Sequence, residues 1–71
     1  MYREGFPSKL KKARNQSGFT QQEVENETKI ARANISRYES GTLEPNIETL
    51  GILIDFYEID ANWLLSTKGG K

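Results

Sequence analysis

The stretch "FTQQEVENETKIARANISRYESG", residues 19–41, predicts two short helices joined by a tight turn. Thr20 and Glu23 have the spacing of a capping box, in which side chain and backbone at the start of a helix bond each other reciprocally. Phe19 before the cap and Val24 after it have the spacing of a hydrophobic staple. Together these signals predict that a helix begins at residue 20.

The second half of the stretch predicts another helix after a brief turn. The first helix should end at about Thr28, and helical spacing resumes from Ala31 to Ser40. Gly41 stands where a left-handed residue usually ends a helix. The pair therefore has the layout of a helix-turn-helix, at about residues 20–39.

The residues of the second helix separate into two faces. At about 100° per residue, one arc from roughly 0° to 140° holds only small and basic side chains: Arg32, Ser36, Ser40, Ala33 and Arg37. Ile35 and Tyr38 fall on the opposite side, with Glu39 at the boundary. We therefore expect the isoleucine and tyrosine to pack inward and the arginine-bearing arc to face outward.

Such an arc suits the major groove of DNA. Arginine bonds guanine with two hydrogen bonds, serine bonds several bases, and alanine contacts the thymine methyl group. A solvated polar helix is the alternative interpretation of the same arc.

Outside this stretch, the sequence predicts three further helices and no strand. Pro7 suits the start of a helix running to about Gln16, with Leu10 and Ala13 inward. Asn46 should cap a fourth helix, with Ile47, Leu50, Ile54 and Tyr57 at apolar spacing and Gly51 packed closely against a neighbour. Asp60 should cap a short fifth helix containing Trp63. The prediction is an all-α domain of five short helices over residues 6–66, with tails at 1–5 and 67–71.

Composition excludes several classes of function. The 71 residues suffice for one domain. Cysteine and histidine are absent, which removes disulfides, the usual zinc sites and most nucleophile-base pairs, and favours the cytoplasm. No apolar run is long enough to span a membrane. We therefore predict no enzymatic activity, no cofactor and no bound metal.

The net charge is zero, but its distribution is uneven. Residues 1–37 carry eight basic and four acidic side chains, a balance of +4, while residues 38–71 carry two and six, a balance of −4. The basic half would attract a polyanion, although a solvated surface explains these charges equally well.

Three segments, "FTQQEV", "ISRYESGTLEPNIETL" and "LIDFYEIDANWLL", resemble the lambda-repressor-like (Xre-type) helix-turn-helix regulators of phages and bacteria. The resemblance covers about residues 10–65. It implies a sequence-specific regulator of transcription, a repressor, that binds double-stranded DNA. Because one module of this size offers few base contacts, we expect a two-fold-related site and a homodimer, at least on DNA.

The resemblance also implies roles for individual residues. Base contacts map to Arg32, Ala33, Ser36 and Arg37, and contacts with the DNA backbone map to Gln21, Ser40 and Thr42. Asn34 lies off the main arc of the helix, near 200°, where we expect either a contact with the DNA backbone or a local bond. Arg14 and Glu39 map to a partly buried structural ion pair. Lys9, Lys11 and Lys12 on the first helix either contact phosphates or are solvated.

Three departures from the family pattern surround the turn. Lys29 stands where glycine is usual in the family. We therefore expect a left-handed backbone at this lysine, which costs about 1–2 kcal/mol of stability. Glu25 replaces a small residue and has the spacing to pair with Lys29. Ala31 replaces a serine that usually caps the third helix, so about 1 kcal/mol of capping stabilisation is lost.

A second hypothesis uses the acidic half of the chain. The same fold serves as a protein-interaction module, antitoxin-like or antirepressor-binding, with DNA binding secondary. Asp55, Glu58 and Asp60 would then lie where the protein partner docks.

Overall fold

The computed structural model describes residues 5–65, which form five helices and no strand. The helices are α1 (Phe6–Ser17), α2 (Gln21–Thr28), α3 (Arg32–Ser40), α4 (Ile47–Tyr57) and α5 (Ala61–Leu65). The all-α prediction is confirmed, and each boundary that the sequence predicted lies within about two residues of its expected place. The predicted tails at 1–5 and 67–71 lie, apart from residue 5, outside the described residues.

The predicted caps form. The Thr20 hydroxyl accepts from the Glu23 amide at 3.1 Å, and the Glu23 carboxylate accepts from the Thr20 amide at 2.8 Å. The Asn46 side chain accepts from the amide of Thr49 at 2.8 Å at the start of α4. The Asp60 carboxylate accepts from the backbone of α5. Local side-chain chemistry therefore sets where these helices begin.

Helix α3 ends at a position that requires glycine for two reasons. Gly41 has φ 83°, in the left-handed region. A β-carbon at this position would also stand 3.2 Å from Cγ of Pro7 on α1. The amide of Thr42 donates to the carbonyl of Arg37 at 2.9 Å, which satisfies an acceptor in the last turn of α3.

One hydrophobic core joins all five helices. Helix α3 packs against α1 and α2, while α1 also contacts α4 and α5 and α2 contacts α4. The buried side chains are Phe6, Leu10, Ala13, Val24, Ile35, Tyr38, Leu50, Leu53, Tyr57 and Leu64. Helix α3 is thus held by two neighbours on its inner side.

Two expectations for α4 are wrong. Ile47 was expected on the inner face, but it is 83 % exposed. Gly51 was expected to pack closely against a neighbour, but a β-carbon there would meet no atom of residues 5–65 within 4 Å. The physical reason is that α4 is apolar around more of its circumference than its neighbours can cover. Among residues 5–65, no helix has the length and hydropathy that crossing a membrane requires.

Candidate nucleic-acid interface

Two buried side chains anchor α3. Ile35 is 2 % exposed and Tyr38 is 6 % exposed, and both belong to the core. The opposite side of the helix is exposed along its whole length, and its residues are Arg32, Ala33, Ser36, Arg37 and Ser40. The predicted orientation of α3 is confirmed. We call these five residues the α3 outer face.

The arginines of the α3 outer face have no partner among residues 5–65. Neither the Arg32 nor the Arg37 guanidinium forms a hydrogen bond or an ion pair with another described residue. They are five residues apart, which corresponds to about 7.5 Å along the helix axis. Both cations are therefore open to an external acceptor.

Beneath this face, Arg14 of α1 and Glu39 of α3 form a two-point ion pair. Arg14 Nε donates to Glu39 Oε2 at 2.8 Å, and Arg14 Nη2 donates to Glu39 Oε1 at 3.1 Å. Arg14 Nη1 also donates to the carbonyl of Phe19 at 2.9 Å, directly before α2. The same guanidinium thus connects α1, the start of α2 and the last turn of α3.

Burial makes this pair sensitive to the loss of either partner. The side chains of Arg14 and Glu39 are 11 % and 5 % exposed. The hydrogen bond that Arg14 donates to Glu39 raises the pKa of Arg14, so its guanidinium remains charged throughout the accessible pH range. A buried charge without its partner is strongly destabilising, so the two residues must be present together.

An open cleft of about 310 Å³ lies where α1, α2 and α3 meet, beside the ion pair and the α3 outer face. Its lining residues are Lys11, Arg14, Gln21, Ser36, Glu39 and Ser40. Lys11 is exposed and lies three residues before Arg14, on the same side of α1. The cleft therefore borders cations on α1 and hydroxyl groups on α3.

Gln21 lies at the start of α2 and binds Glu39. Its Nε2 donates to Glu39 Oε1 at 3.2 Å, which uses one of the two amide hydrogens and leaves the other available. Asn34 is half-buried at the side of α3, and its side chain has no hydrogen-bond partner among the described residues. These positions place Gln21 beside the α3 outer face and Asn34 at its edge.

The two hydroxyl groups after α3 bond each other. Ser40 Oγ donates to the carbonyl of Arg37 at 3.1 Å and lies 2.8 Å from Thr42 Oγ1. Because the single Ser40 proton goes to the carbonyl, the Thr42 hydroxyl is the donor in the second contact. A phosphate that accepts from Thr42 must therefore displace this internal hydrogen bond.

The turn between α2 and α3 achieves its shape without glycine. Lys29 has φ 67°, as the sequence predicted, and its amide donates to the carbonyl of Glu25 at 2.8 Å. The Thr28 hydroxyl donates to the carbonyl of Val24 at 2.7 Å and accepts from the next turn residue, Ile30, at 3.2 Å. These two hydrogen bonds of Thr28 therefore stabilise a turn in which the left-handed backbone of Lys29 is unfavourable.

The expected Glu25–Lys29 ion pair does not form. Lys29 Nζ donates instead to the carbonyl of Asn26 at 3.3 Å, and the Glu25 carboxylate accepts from Gln22 at 3.3 Å. The left-handed backbone of Lys29 takes its side chain out of the helical direction on which i,i+4 pairing depends. Ala31 precedes α3 and provides no side-chain cap, as its residue type requires.

One contact of α1 could not be predicted from the sequence. Lys9 Nζ donates to the carbonyl of Trp63 at 2.8 Å and lies 5.6 Å from the centre of the Trp63 ring. Lys9 therefore joins α1 to α5, whereas Lys11 and Lys12 are exposed. No local pattern could identify this contact, because the two residues are 54 positions apart.

Among residues 5–65, no group of three acidic side chains could hold a metal ion.

The sequence profile of a helix-turn-helix domain matches residues 8–70 of the chain. Three curated relatives are similar in sequence to this chain over most of its length. The chain is 35 % identical over 57 residues to the HTH-type transcriptional regulator ImmR of Bacillus subtilis, covering 80 % of this chain and 45 % of ImmR. It is 33 % identical over 60 residues to the SPbeta prophage-derived HTH-type transcriptional regulator YonR of Bacillus subtilis, covering 84 % and 56 %.

The third relative is the HTH-type transcriptional activator BcrR of Enterococcus faecalis. Here the identity is 33 % over 61 residues, covering 86 % of this chain and 30 % of BcrR. The chain thus spans about half the length, or less, of the curated relatives it matches. The profile covers nearly the whole chain, the described helices have the expected order, and α3 has the expected orientation. The chain belongs to the helix-turn-helix domain family, in agreement with its resemblance to the lambda-repressor-like regulators.

Proposed function

We propose that this chain binds double-stranded DNA sequence-specifically and regulates transcription, with α3 in the major groove. The observation that carries the proposal is the α3 outer face, where Arg32 and Arg37 are exposed and unpaired among the described residues. Ala33 and Ser36 are also exposed on this face and are small enough to let the helix backbone approach the bases. A helix of this kind fits the width of the major groove.

Base recognition follows from the chemistry of these side chains. Each arginine can donate two hydrogen bonds to O6 and N7 of a guanine, which discriminates by about 1–3 kcal/mol against another base. Ser36 bonds a base edge, and Ala33 contacts a thymine methyl group. The axial separation of the arginines, about 7.5 Å, corresponds to roughly two base-pair steps.

Backbone phosphates would bind around this face. The free amide hydrogen of Gln21 and the ammonium group of Lys11 lie beside the same cleft as Ser40. Thr42 would donate to a phosphate after releasing its bond to Ser40. Asn34, at the edge of α3, completes the proposed set of backbone contacts. These contacts fix orientation, whereas the arginines supply specificity.

The Arg14–Glu39 pair positions this surface and does not read it. Both side chains are largely buried, and their bonds connect α1, the start of α2 and α3. Their proposed role is to hold α3 at a fixed angle to α2. Loss of one charged partner alone would therefore lower the stability of the domain and, as a consequence, its affinity for every DNA sequence.

A single α3 helix reaches few base pairs, so useful specificity needs two copies. We propose a homodimer, at least on DNA, that binds two-fold-related half-sites about one helical turn apart. Occupancy of such a site in the cytoplasm would exclude other proteins from the same DNA, which is the basis for proposing repression. BcrR is named an activator, so the direction of regulation is tested separately from DNA binding.

The alternative is a protein-interaction module of the same fold, with DNA binding secondary. The observation that favours it is the acidic half of the chain, where Asp55, Glu58 and Asp60 are exposed. The two functions differ in their response to salt. Binding that neutralises phosphates weakens steeply as salt rises, because counterions are released.

Selection of bound sites from a random duplex DNA pool tests the proposal. We expect enrichment of a two-fold-related sequence containing guanines, and affinity for it that falls at least tenfold between 50 and 200 mM salt, in line with several phosphate contacts. A promoter reporter carrying the selected site then distinguishes repression from activation. Failure to enrich any sequence, together with salt-independent binding to random DNA, would favour the protein-interaction module.

A further inference from the structure

Helix α4 exposes a face that the other described helices do not cover. This α4 outer face consists of Ile47, Glu48, Gly51, Ile52 and Asp55, all of which are exposed. Ile47 is 83 % exposed and Ile52 is 43 % exposed, the two largest values among the large hydrophobic residues described. A β-carbon on Gly51 would meet no atom of the described residues within 4 Å, so none of them covers the surface between the two isoleucines.

The charged residues of α4 and of the segments on either side of it in the sequence have a single sign. No lysine or arginine occurs between residues 38 and 67, whereas the same span contains six acidic residues. Glu39 is paired with Arg14, but the carboxylates of Glu48 and Asp55 have no partner among the described residues. On α4 these two carboxylates fall at roughly 100° and 80° from Ile47, between the two isoleucines. The exposed isoleucines are therefore accompanied by unneutralised negative charge.

This combination determines the chemistry of an occupant. A second copy packed on the same face would bring Glu48 and Asp55 against their own equivalents, and like charges in contact are unfavourable. We infer that the α4 outer face binds a cationic amphipathic helix of another protein. The partner's aliphatic side chains cover Ile47, Gly51 and Ile52, while its lysines or arginines pair with the two carboxylates. The absence of a side chain at Gly51 lets the partner helix lie close to α4.

This site is built on a different helix from the proposed DNA surface, and it does not depend on DNA binding. Helix α3 presents cations and α4 presents anions, so the two surfaces select opposite partners. A regulator with both could bind DNA through one helix and a basic protein segment through the other.

A peptide titration of the isotope-labelled full chain tests the inference by NMR. The probe is an 18-residue synthetic helix of leucine and lysine at amphipathic spacing, and a peptide with glutamate in place of lysine is its control. We expect the lysine peptide to shift the amide signals of residues 47–55 and the glutamate peptide to shift none. Ile47→Ser should weaken binding at least fivefold, and because Ile47 is 83 % exposed the fold should persist.

Charge variants separate this site from general attraction to an acidic protein. Asp55→Lys should weaken binding of the lysine peptide at least fivefold, whereas Glu27→Lys, a matched change at an exposed residue of α2, should leave it within twofold. Equal effects of the two variants, or signal shifts spread over all acidic residues, would overturn the inference. So would concentration-dependent shifts of residues 47–55 without peptide, because they would identify a second copy as the occupant.

Discussion

Replacing Glu39 by alanine removes three hydrogen bonds from beneath the proposed DNA surface. Glu39 accepts two from Arg14, at 2.8 and 3.1 Å, and one from Gln21 at 3.2 Å. The Arg14 guanidinium would retain its bond to the carbonyl of Phe19 at 2.9 Å. Glu39→Ala therefore leaves a largely buried cation with one neutral acceptor.

The expected loss of stability follows from the burial of the pair. Removing one partner of a fully buried ion pair costs about 3–5 kcal/mol. The Arg14 side chain is 11 % exposed and can turn toward water, so we expect a lower figure, about 2–3 kcal/mol. In a domain of this size each kcal/mol lowers the Tm by about 4–8 °C, so the Tm should fall by roughly 10–20 °C.

Thermal unfolding followed by circular dichroism at 222 nm measures this loss, and urea unfolding followed by Trp63 fluorescence measures it independently. Glu27→Ala is the matched control, because Glu27 is exposed and has no partner among the described residues. It should change stability by no more than about 0.5 kcal/mol. The double variant Arg14→Met with Glu39→Leu should recover most of the loss, since an apolar pair leaves no charge buried. If Glu39→Ala and Glu27→Ala unfold alike, the buried-pair reasoning is refuted.

Three further changes test other parts of the structure. Lys29→Gly should raise the free energy of unfolding by about 0.5–1 kcal/mol, because glycine adopts the φ of 67° without strain. Urea unfolding measures this change. A lower free energy of unfolding would show that the contacts of the lysine side chain outweigh the backbone strain. Gly51→Ala should raise the free energy of unfolding by about 1 kcal/mol, since the new methyl group at this exposed helical position meets no atom of the part of the chain that the structure describes within 4 Å. An unchanged Tm would contradict the helix-propensity argument. Burial, and secondarily the charge of Glu39, raise the pKa of Tyr57 to about 12. In the unfolded chain a tyrosine titrates near pH 10. The stability that the protonated phenol contributes is therefore present below about pH 10 and is lost as the pH rises toward 12. Tyr57→Phe should therefore lose less stability than the wild type between pH 10 and 12, and parallel losses in the two proteins would exclude this coupling.

Local signals in the sequence were sufficient to locate the helices. Capping residues bond backbone groups within three positions of themselves, so the roles of Thr20, Asn46 and Asp60 could be inferred without knowledge of the fold. The inward orientation of Ile35 and Tyr38 followed from helical periodicity alone. The left-handed backbone at Lys29 was expected because the family resemblance fixed the position of the turn.

Features that depend on packing between helices were not predictable in the same way. Helix α4 is apolar on several sides, so periodicity could not identify Ile47 as an exposed residue or Gly51 as an open position. The bond from Lys9 to the carbonyl of Trp63 depends on how α5 packs against α1. The bond from Gln21 to Glu39 likewise requires the angle between α2 and α3, which no single helix determines.

The most direct test of the account pairs the arginines of α3 with individual base pairs. The measurement is the Kd of the wild type, Arg32→Ala, Arg37→Ala and the exposed control Lys12→Ala for the selected site and for each single-base-pair change within it. We expect each arginine variant to bind the selected site at least tenfold more weakly and to become indifferent to one guanine-containing base pair, with unchanged Tm, while Lys12→Ala keeps the full base preference. Equal weakening on every sequence would mean that Arg32 and Arg37 contact only phosphates, which would contradict sequence reading by α3.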